Sequence, residues 1–175
     1  MKNLIVINGA PGMGKTTVSE ELTKILPNNV MLECDSFMWS NPYVSTDEAN
    51  QIRHENIAFC VNNYLRCSAW HNVIVNWVFV NQKSLDGILS LINLESVTVH
   101  VFSLVCRNDI WKARMDMEAI NMKRVVKTTY AKWTERINNG YYNDINATLI
   151  DTSDLTAKQV AEKIASEVEN GNCLL

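Results

Sequence analysis

The chain has 175 residues, of which 47% are hydrophobic and 20% are charged, and its formal net charge at pH 7 is −3. This length suits one domain of ordinary size, and the composition excludes wholesale disorder and collagen-like character. The mild acidity argues against a protein that coats nucleic acid by charge alone. The five cysteines include no CxxC pair, which favours reduced thiols over a zinc site or a disulfide framework.

The apolar stretches of the chain are short. None approaches the roughly 18 residues that a membrane-spanning helix needs. Residues 4–7 (LIVI) are too few for the apolar core of a signal peptide, and a glycine-rich segment follows them directly. We therefore expect a cytoplasmic protein that has no membrane partner.

Strand-like and helix-like patterns alternate along the chain. In order, the predicted elements are a strand at 3–8, a helix at 17–26, a strand at 30–34, a helix at 45–66, a strand at 72–76, a helix at 81–92, a strand at 96–105, helices at 108–119 and 123–137, a strand at 147–150 and a helix at 156–169. Two of these helices begin at a capping-box spacing, Ser45 with Glu48 and Thr156 with Gln159.

This order of elements predicts the fold class. The chain has no internal repeat and no linker, so residues 1–175 are expected to form a single α/β domain. Three layers are predicted, with helices on both faces of a five-stranded, mainly parallel sheet. Because ligands of such sheets bind at the carboxyl ends of the strands, the residues that follow each strand are the candidates for function.

The segment after the first predicted strand matches a phosphate-binding loop in full. Residues 9–16 (GAPGMGKT) fit the pattern G-x-x-x-x-G-K-[ST], with a strand before it and a helix after it. Glycines let successive N–H groups point inward, Lys15 reaches the β- and γ-phosphates, and the Thr16 hydroxyl binds Mg²⁺. The expected nucleotide-binding residues are Gly9, Ala10, Pro11, Gly12, Met13, Gly14, Lys15, Thr16 and Thr17.

Several segments together resemble a known group of enzymes. Residues 7–26 (INGAPGMGKTTVSEELTKIL), an Asp after the second strand, a helical segment around Arg114 and residues 149–164 (LIDTSDLTAKQVAEKI) look like the small P-loop kinases. That group includes adenylate, shikimate and gluconate kinases and chloramphenicol phosphotransferase. The resemblance implies a P-loop NTPase fold with a helical lid at about 115–135, Mg-ATP as cofactor, and an acceptor-binding insert at about 36–68.

The resemblance also assigns roles on the acceptor side. Asp35 follows the second strand, where these kinases often place a carboxylate that takes the proton of the acceptor hydroxyl or holds the acceptor. A helix cap is the alternative for Asp35. Trp39 is expected to stack on a planar acceptor and Arg53 to hold an anionic one. The alternatives are that the Trp39 ring packs the insert onto the domain and that Arg53 is a solvated charge. Trp77 either lines the acceptor site or belongs to the core.

The remaining expectations concern the metal and the lid. Asn76 ends the third strand, where many P-loop proteins have a metal-binding Asp, so magnesium binding is expected to depend on Thr16, water and the nucleotide. The resemblance places Arg114 against the nucleotide and Arg124 on the lid, where a cation stabilises the transferring phosphoryl group. Glu118 stands where the family often repeats an Arg. A solvated helix face is the alternative for both arginines.

The sequence therefore predicts an ATP-dependent phosphotransferase that acts on a hydroxyl or phosphate of a small molecule, such as a nucleoside, nucleotide, sugar acid or antibiotic. A regulatory NTPase is one alternative, disfavoured by Asn76 and by the lack of a guanine-reading N/T-K-x-D. A polynucleotide 5′-kinase that uses the basic segment 107–136 is another, disfavoured by the overall acidity. We expect a small-molecule acceptor, no nucleic acid partner, and a monomer or homodimer.

Overall fold

The computed structural model describes residues 1–122 and 127–171, with side chains described except at 118–122, 127–131 and 141. The strands are β1 Lys2–Asn8, β2 Asn29–Glu33, β3 Asn72–Trp77, β4 Val97–Val105 and β5 Thr148–Asp151. The helices are α1 Lys15–Ile25, α2 Asp47–Arg66, α3 Gln82–Leu89, α4 Asn108–Met122, α5 Lys127–Asn138 and α6 Ala157–Glu169. Short 3₁₀ turns span Cys34–Met38 and Tyr141–Asp144.

The five strands form one sheet in the order β2-β3-β1-β4-β5, and every described pair is parallel. In the register of the sheet, Asn76 of β3 lies between Glu33 of β2 and Ile7 of β1. All carboxyl ends of the strands therefore meet at one edge. The prediction of a parallel α/β sheet is confirmed.

Helices cover both faces of the sheet. Ile5 and Ile7 of β1 pack with α1 and α6 on one face, and Leu4 and Val6 pack with α2 and α3 on the other. Because both faces are covered, β1 is continuously apolar from Leu4 to Ile7 instead of alternating. Burial of each such aliphatic side chain contributes about 1.5–3 kcal/mol to the free energy of folding. The central strand is therefore held firmly, and so is the edge of the sheet at its carboxyl end.

Two predicted helix starts differ from the structure: α1 begins at Lys15, two residues before the predicted 17, and the cap of α2 is one residue later than predicted. Helix α2 begins after Thr46, whose hydroxyl accepts a hydrogen bond from the N–H of Ala49 at 3.2 Å. Ser45 and Glu48 have the spacing of a capping box, but the extended backbone at Thr46 makes Thr46 the cap. At α6, the predicted box between Thr156 and Gln159 is present.

The predicted lid, residues 115–135, covers the end of α4 and most of α5, and its residues 123–126 lie outside the described ranges. The lid, like the bounds of the acceptor-binding insert, therefore stays a prediction. Across the described ranges, no helix is both long enough and apolar enough to span a membrane.

Candidate functional site

The phosphate-binding loop connects β1 to α1 and depends on two glycines with positive φ. Gly12 has φ +78° and Gly14 has φ +91°, a region that side-chain-bearing residues rarely adopt. A Cβ atom at Gly12 would lie 2.7 Å from the sulfur of Met115 and 3.4 Å from the indole nitrogen of Trp111. The loop therefore requires glycine at position 12 for conformation and for space.

The loop ends at a helix terminus that is open to an anion. Gly14 is the N-cap of α1 and has no side chain to accept from the first-turn N–H groups. These N–H groups and the helix dipole favour a negative charge. The Lys15 side chain is only 7% exposed, and its ammonium donates to the Ala10 carbonyl at a long 3.4 Å. A phosphate group at this terminus fits the donors present.

Helix α4 holds the loop from behind. The fully buried indole of Trp111 donates from Nε1 to the Pro11 carbonyl at 2.8 Å, and Met115, one helical turn later, lies against Gly12. Cys106 approaches the Met13 sulfur at 3.4 Å. Sequence reasoning missed Trp111 and Met115 as supports of the loop. Their four-residue spacing indicates a shared helix face and does not tell what the face contacts.

A carboxylate that sequence reasoning also missed lies beside Thr16. The Thr16 hydroxyl donates to Oε2 of Glu33, the last residue of β2, at 2.7 Å. The other carboxylate oxygen, Oε1 of Glu33, is buried and makes no hydrogen bond in the described structure. The sequence does carry a signal for Glu33, because it is an acidic residue at the end of the second strand, two positions before Asp35.

Two further buried polar side chains lie on the α1 side of the sheet. Asn76 is 0% exposed, and neither its carbonyl nor its amide group has a partner among the described residues; the buried Ser19 hydroxyl is in the same condition. An unpaired buried polar group costs about 1–3 kcal/mol. Together with the free oxygen of Glu33, these atoms favour a polar ligand such as water or a cation.

The same atoms suit magnesium. Mg²⁺ takes oxygen ligands, usually one or two from the protein and the rest from water and nucleotide phosphates. Thr16, Glu33 and Asn76 offer a hydroxyl, a carboxylate and an amide carbonyl. In the described ranges no group of three or more His, Cys, Asp or Glu side chains could form an all-protein cage. The donor set therefore fits a metal that is bound with a nucleotide.

The side that is predicted to bind the acceptor begins at the 3₁₀ turn after β2. Asp35 is exposed in this turn and has no hydrogen bond or ion pair with any residue that the structure describes. Trp77 follows Asn76 at the end of β3 and is half-buried, with edge-on ring contacts to His54 at 5.4 Å and Phe79 at 5.5 Å. Trp39 is 86% exposed. The structure thus brings together the strand-end turn and Trp77, whereas Trp39 projects into solvent.

Arg53 is bound within its own segment. The residue is 8% exposed, and its guanidinium donates to the Asn50 side chain at 2.8 Å and to the Val44 carbonyl at 2.5 Å and lies 5.6 Å from the ring centroid of Tyr43. These contacts anchor the loop before α2 to the helix. Neither a solvated charge nor an open anion site describes this arrangement, and a role in acceptor binding stays a prediction.

On the opposite side of the loop, α4 is tied to the turn after β5. Arg114 donates to the hydroxyl and the main-chain carbonyl of Thr152 at 2.9 and 2.8 Å. Arg107 pairs with Asp154 through two hydrogen bonds of 2.7 and 3.0 Å, which holds the pKa of that carboxyl below its usual range. Arg114 therefore lies next to the strand ends, whereas Arg124 lies outside the described residues.

Comparison with known proteins agrees with this architecture. Residues 5–132 match the family model described as AAA domain. The solved tunicamycin resistance protein of Deinococcus radiodurans is 22% identical, with a TM-score of 0.69 and 96% of each chain covered. No curated protein matches the chain in sequence.

Two kinases have the same fold. A sugar kinase from a Janibacter species is 15% identical, with a TM-score of 0.63 and coverage of 97% of this chain and 95% of that one. Shikimate kinase from Acinetobacter baumannii, solved with shikimate, is 16% identical, with a TM-score of 0.61 and coverage of 98% and 95%. At these identities the likeness shows the fold and leaves the substrate to the residues of the site.

Proposed function

Because the chain belongs to the AAA domain family and has the fold of the P-loop kinases, we propose that it transfers the γ-phosphoryl group of Mg-ATP to a small-molecule acceptor. One observation carries the proposal. A single short turn joins the metal-binding candidate Glu33 to the unpaired carboxylate of Asp35, and Glu33 is hydrogen-bonded to Thr16 of the phosphate-binding loop. A nucleotide phosphate and an acceptor hydroxyl can therefore meet at this turn.

The residues of the loop bind the nucleotide. The N–H groups at the start of α1 donate hydrogen bonds to the phosphate oxygens, and the Lys15 ammonium exchanges its weak contact with the Ala10 carbonyl for the β- and γ-phosphates. Thr16 and Glu33, with Asn76 beneath them, would hold Mg²⁺. When bound, the metal neutralises charge on the β- and γ-phosphate oxygens. Arg114 borders the nucleotide from the β5 side.

Asp35 acts on the acceptor. A carboxylate within hydrogen-bond reach of a hydroxyl orients it and takes its proton as the oxygen attacks the γ-phosphorus. Asp35 is exposed and unpaired among the described residues, so no ion pair has to break before it does so. In the proposed complex, Trp77 forms the wall next to this hydroxyl. The tunicamycin resistance protein and the sugar kinase, which share this fold, support a small-molecule acceptor.

The proposal is tested by ADP release from Mg-ATP in the presence of pooled small molecules that carry hydroxyl or phosphate groups. We expect one pool to accelerate ADP release and the Lys15→Met variant to show no acceleration. Slow release that no pool accelerates would support a regulatory NTPase instead. Acceleration by polynucleotide ends alone would support the 5′-kinase alternative.

Asp35 provides a second test of the same reaction. Asp35→Asn keeps the shape of the side chain and removes the base, so kcat should fall by about 10²-fold or more while the KM for ATP is unchanged. The matched control is Ser36→Ala, whose side chain donates only to the Glu33 carbonyl at 2.7 Å. If Asp35→Asn retained full turnover, the base assignment would be wrong.

A further inference from the structure

The acceptor side of the sheet is poor in positive charge. Residues 33–80 contain two basic side chains, Arg53 and Arg66, against five acidic ones. The acidic residues are Glu33, Asp35, Asp47, Glu48 and Glu55. A second anion brought next to the unpaired carboxylate of Asp35 would be repelled, because like charges placed together at a binding surface cost several kcal/mol.

Neither arginine is available to offset that repulsion. Arg53 is buried, and its guanidinium donates to Val44 and Asn50 and lies over Tyr43. Arg66 follows it by 13 positions on the same helix, about 20 Å further along the axis at 1.5 Å per residue. Its own hydrogen bond is to Asn63.

The turn that carries Asp35 lies against β3, whose last residue is the aromatic Trp77. Trp77 is fixed on two edges by His54 and Phe79. The backbone of Phe79 is held as well, because its N–H donates at 2.9 Å to the side chain of Asn8, the residue before the phosphate-binding loop. The indole therefore keeps a constant position relative to the loop and can serve as a platform for a ring.

His54 adds a polar, uncharged group to this platform. Its ring is half-buried against Trp77, and neither ring nitrogen hydrogen-bonds to any residue within the described ranges. Burial lowers the pKa of His54 below its usual value, so the imidazole is neutral near pH 7. A neutral imidazole has one donor and one acceptor, which suits a hydroxyl or an amide and gives no preference for an anion.

We infer that the acceptor is an uncharged compound that carries a hydroxyl group on or next to a ring, with the ring on Trp77 and a polar substituent on His54. This inference rests on the proposed kinase function and narrows its substrate class. It disfavours acceptors that present a carboxylate or phosphate to the site, such as sugar acids and nucleoside monophosphates. It also makes His54 a specificity-determining residue.

Matched acceptor pairs test the charge preference. ADP release is measured with nucleosides and their monophosphates, and with sugars and their corresponding acids. We expect kcat/KM to favour the uncharged member of the productive pair by about tenfold or more, from the like-charge penalty. Preference for the anionic member would overturn the inference and leave the kinase proposal intact. No stimulation by any member would count against both.

Variants at position 54 test the role of the imidazole. His54→Arg places a permanent cation against Trp77, so the ratio of kcat/KM for the uncharged and anionic acceptors should shift by tenfold or more toward the anion. His54→Asn keeps a neutral donor and acceptor and should retain the preference, with a higher KM for the acceptor and an unchanged KM for ATP.

The control for both variants is His71→Arg, at an exposed histidine just before β3 and at the opposite edge of the sheet from the strand carboxyl ends. It should leave the ratio of kcat/KM for the uncharged and anionic acceptors unchanged, and thermal melting checks that each variant is folded. An unaltered ratio in a folded His54→Arg variant would show that His54 does not contact the acceptor.

Discussion

The two sides of the site are built differently. The phosphate side is a short loop held between β1, α1 and the buried Trp111, with strained glycine positions and a nearly buried Lys15. The acceptor side is a long segment whose aromatic residues range from the fixed Trp77 to the exposed Trp39. A phosphate group has one shape, so its binding loop is rigid and local in sequence. In the proposed complex, the acceptor contacts side chains from three separate elements: Asp35 after β2, His54 of α2 and Trp77 of β3.

This contrast is informative about what each side can tolerate. On the phosphate side, backbone N–H groups make the contacts, so a substitution there acts through conformation and space. On the proposed acceptor side, the rings of Trp77 and His54 and the carboxylate of Asp35 would make the contacts, so substitutions there should change the choice of acceptor before they change stability. The variants below separate these two outcomes.

Loss of Lys15 should have the largest effect. Lys15→Met retains the buried stem and removes the charge near the phosphates, which should lower kcat by at least about 10²–10³-fold. Acceptor-dependent ADP release measures this directly. Lys24→Met, at an exposed lysine paired with Glu21 on the same helix, is the control and should retain turnover. Equal activity of the two variants would contradict the account of the phosphate side.

Glu33 tests the link between the two sides. Glu33→Gln keeps a side chain that can accept from Thr16 but removes the negative charge. The Mg²⁺ concentration needed for half-maximal activity should rise by about 10–100-fold. A magnesium titration at saturating ATP measures the change, and Glu20→Gln, at an exposed position of α1, is the control. An unchanged requirement would place the metal elsewhere.

Gly12 tests space and conformation on the phosphate side. Gly12→Ala puts a methyl group 2.7 Å from the Met115 sulfur at a positive φ, which should lower the free energy of unfolding by about 1–3 kcal/mol and weaken nucleotide binding. Gly87→Ala, inside α3 with nothing within 4 Å of the added Cβ, should instead raise it by about 0.5–1 kcal/mol. Chemical denaturation compares the two variants, and destabilisation by both would refute the steric explanation.

Substitution of Arg53 tests whether this residue stabilises the fold of the acceptor side without contacting the acceptor. Arg53→Met leaves the Val44 carbonyl and the Asn50 side chain without their buried donor, at a cost of about 1–3 kcal/mol in the free energy of unfolding. Arg66→Met, at an exposed position, should stay within about 0.5 kcal/mol of the parent. If Arg53→Met instead melted normally and lost only anionic acceptors, Arg53 would be an acceptor ligand.

The predictable part of the molecule was the part that local sequence determines. The parallel sheet follows from strand and helix patterns that alternate, and the phosphate-binding loop follows from eight consecutive residues whose chemistry is contained in their order. The start of α2 was wrong by one residue because Ser45 and Thr46 are adjacent caps of similar strength. In the structure it is the Thr46 hydroxyl that accepts from the first turn of α2.

The rest of the site depends on contacts between distant residues. Trp111 lies 100 positions from the Pro11 carbonyl that it binds, and Thr16 lies 17 positions from Glu33. Helical spacing predicts that Trp111 is buried, but it does not predict which residues Trp111 contacts. A lone histidine in a helix carries no sequence pattern that would single out His54. Its contact with Trp77 exists only once α2 has packed on β3.

The most direct test of the central claim is to follow the γ-phosphorus of Mg-ATP by phosphorus NMR in the presence of an accelerating acceptor. The account predicts a new phosphate ester on an uncharged acceptor, formed at the rate of ADP release and absent with Lys15→Met. Appearance of the γ-phosphorus only as inorganic phosphate, at a rate independent of the acceptor, would contradict this prediction and identify the protein as a hydrolase of nucleotides.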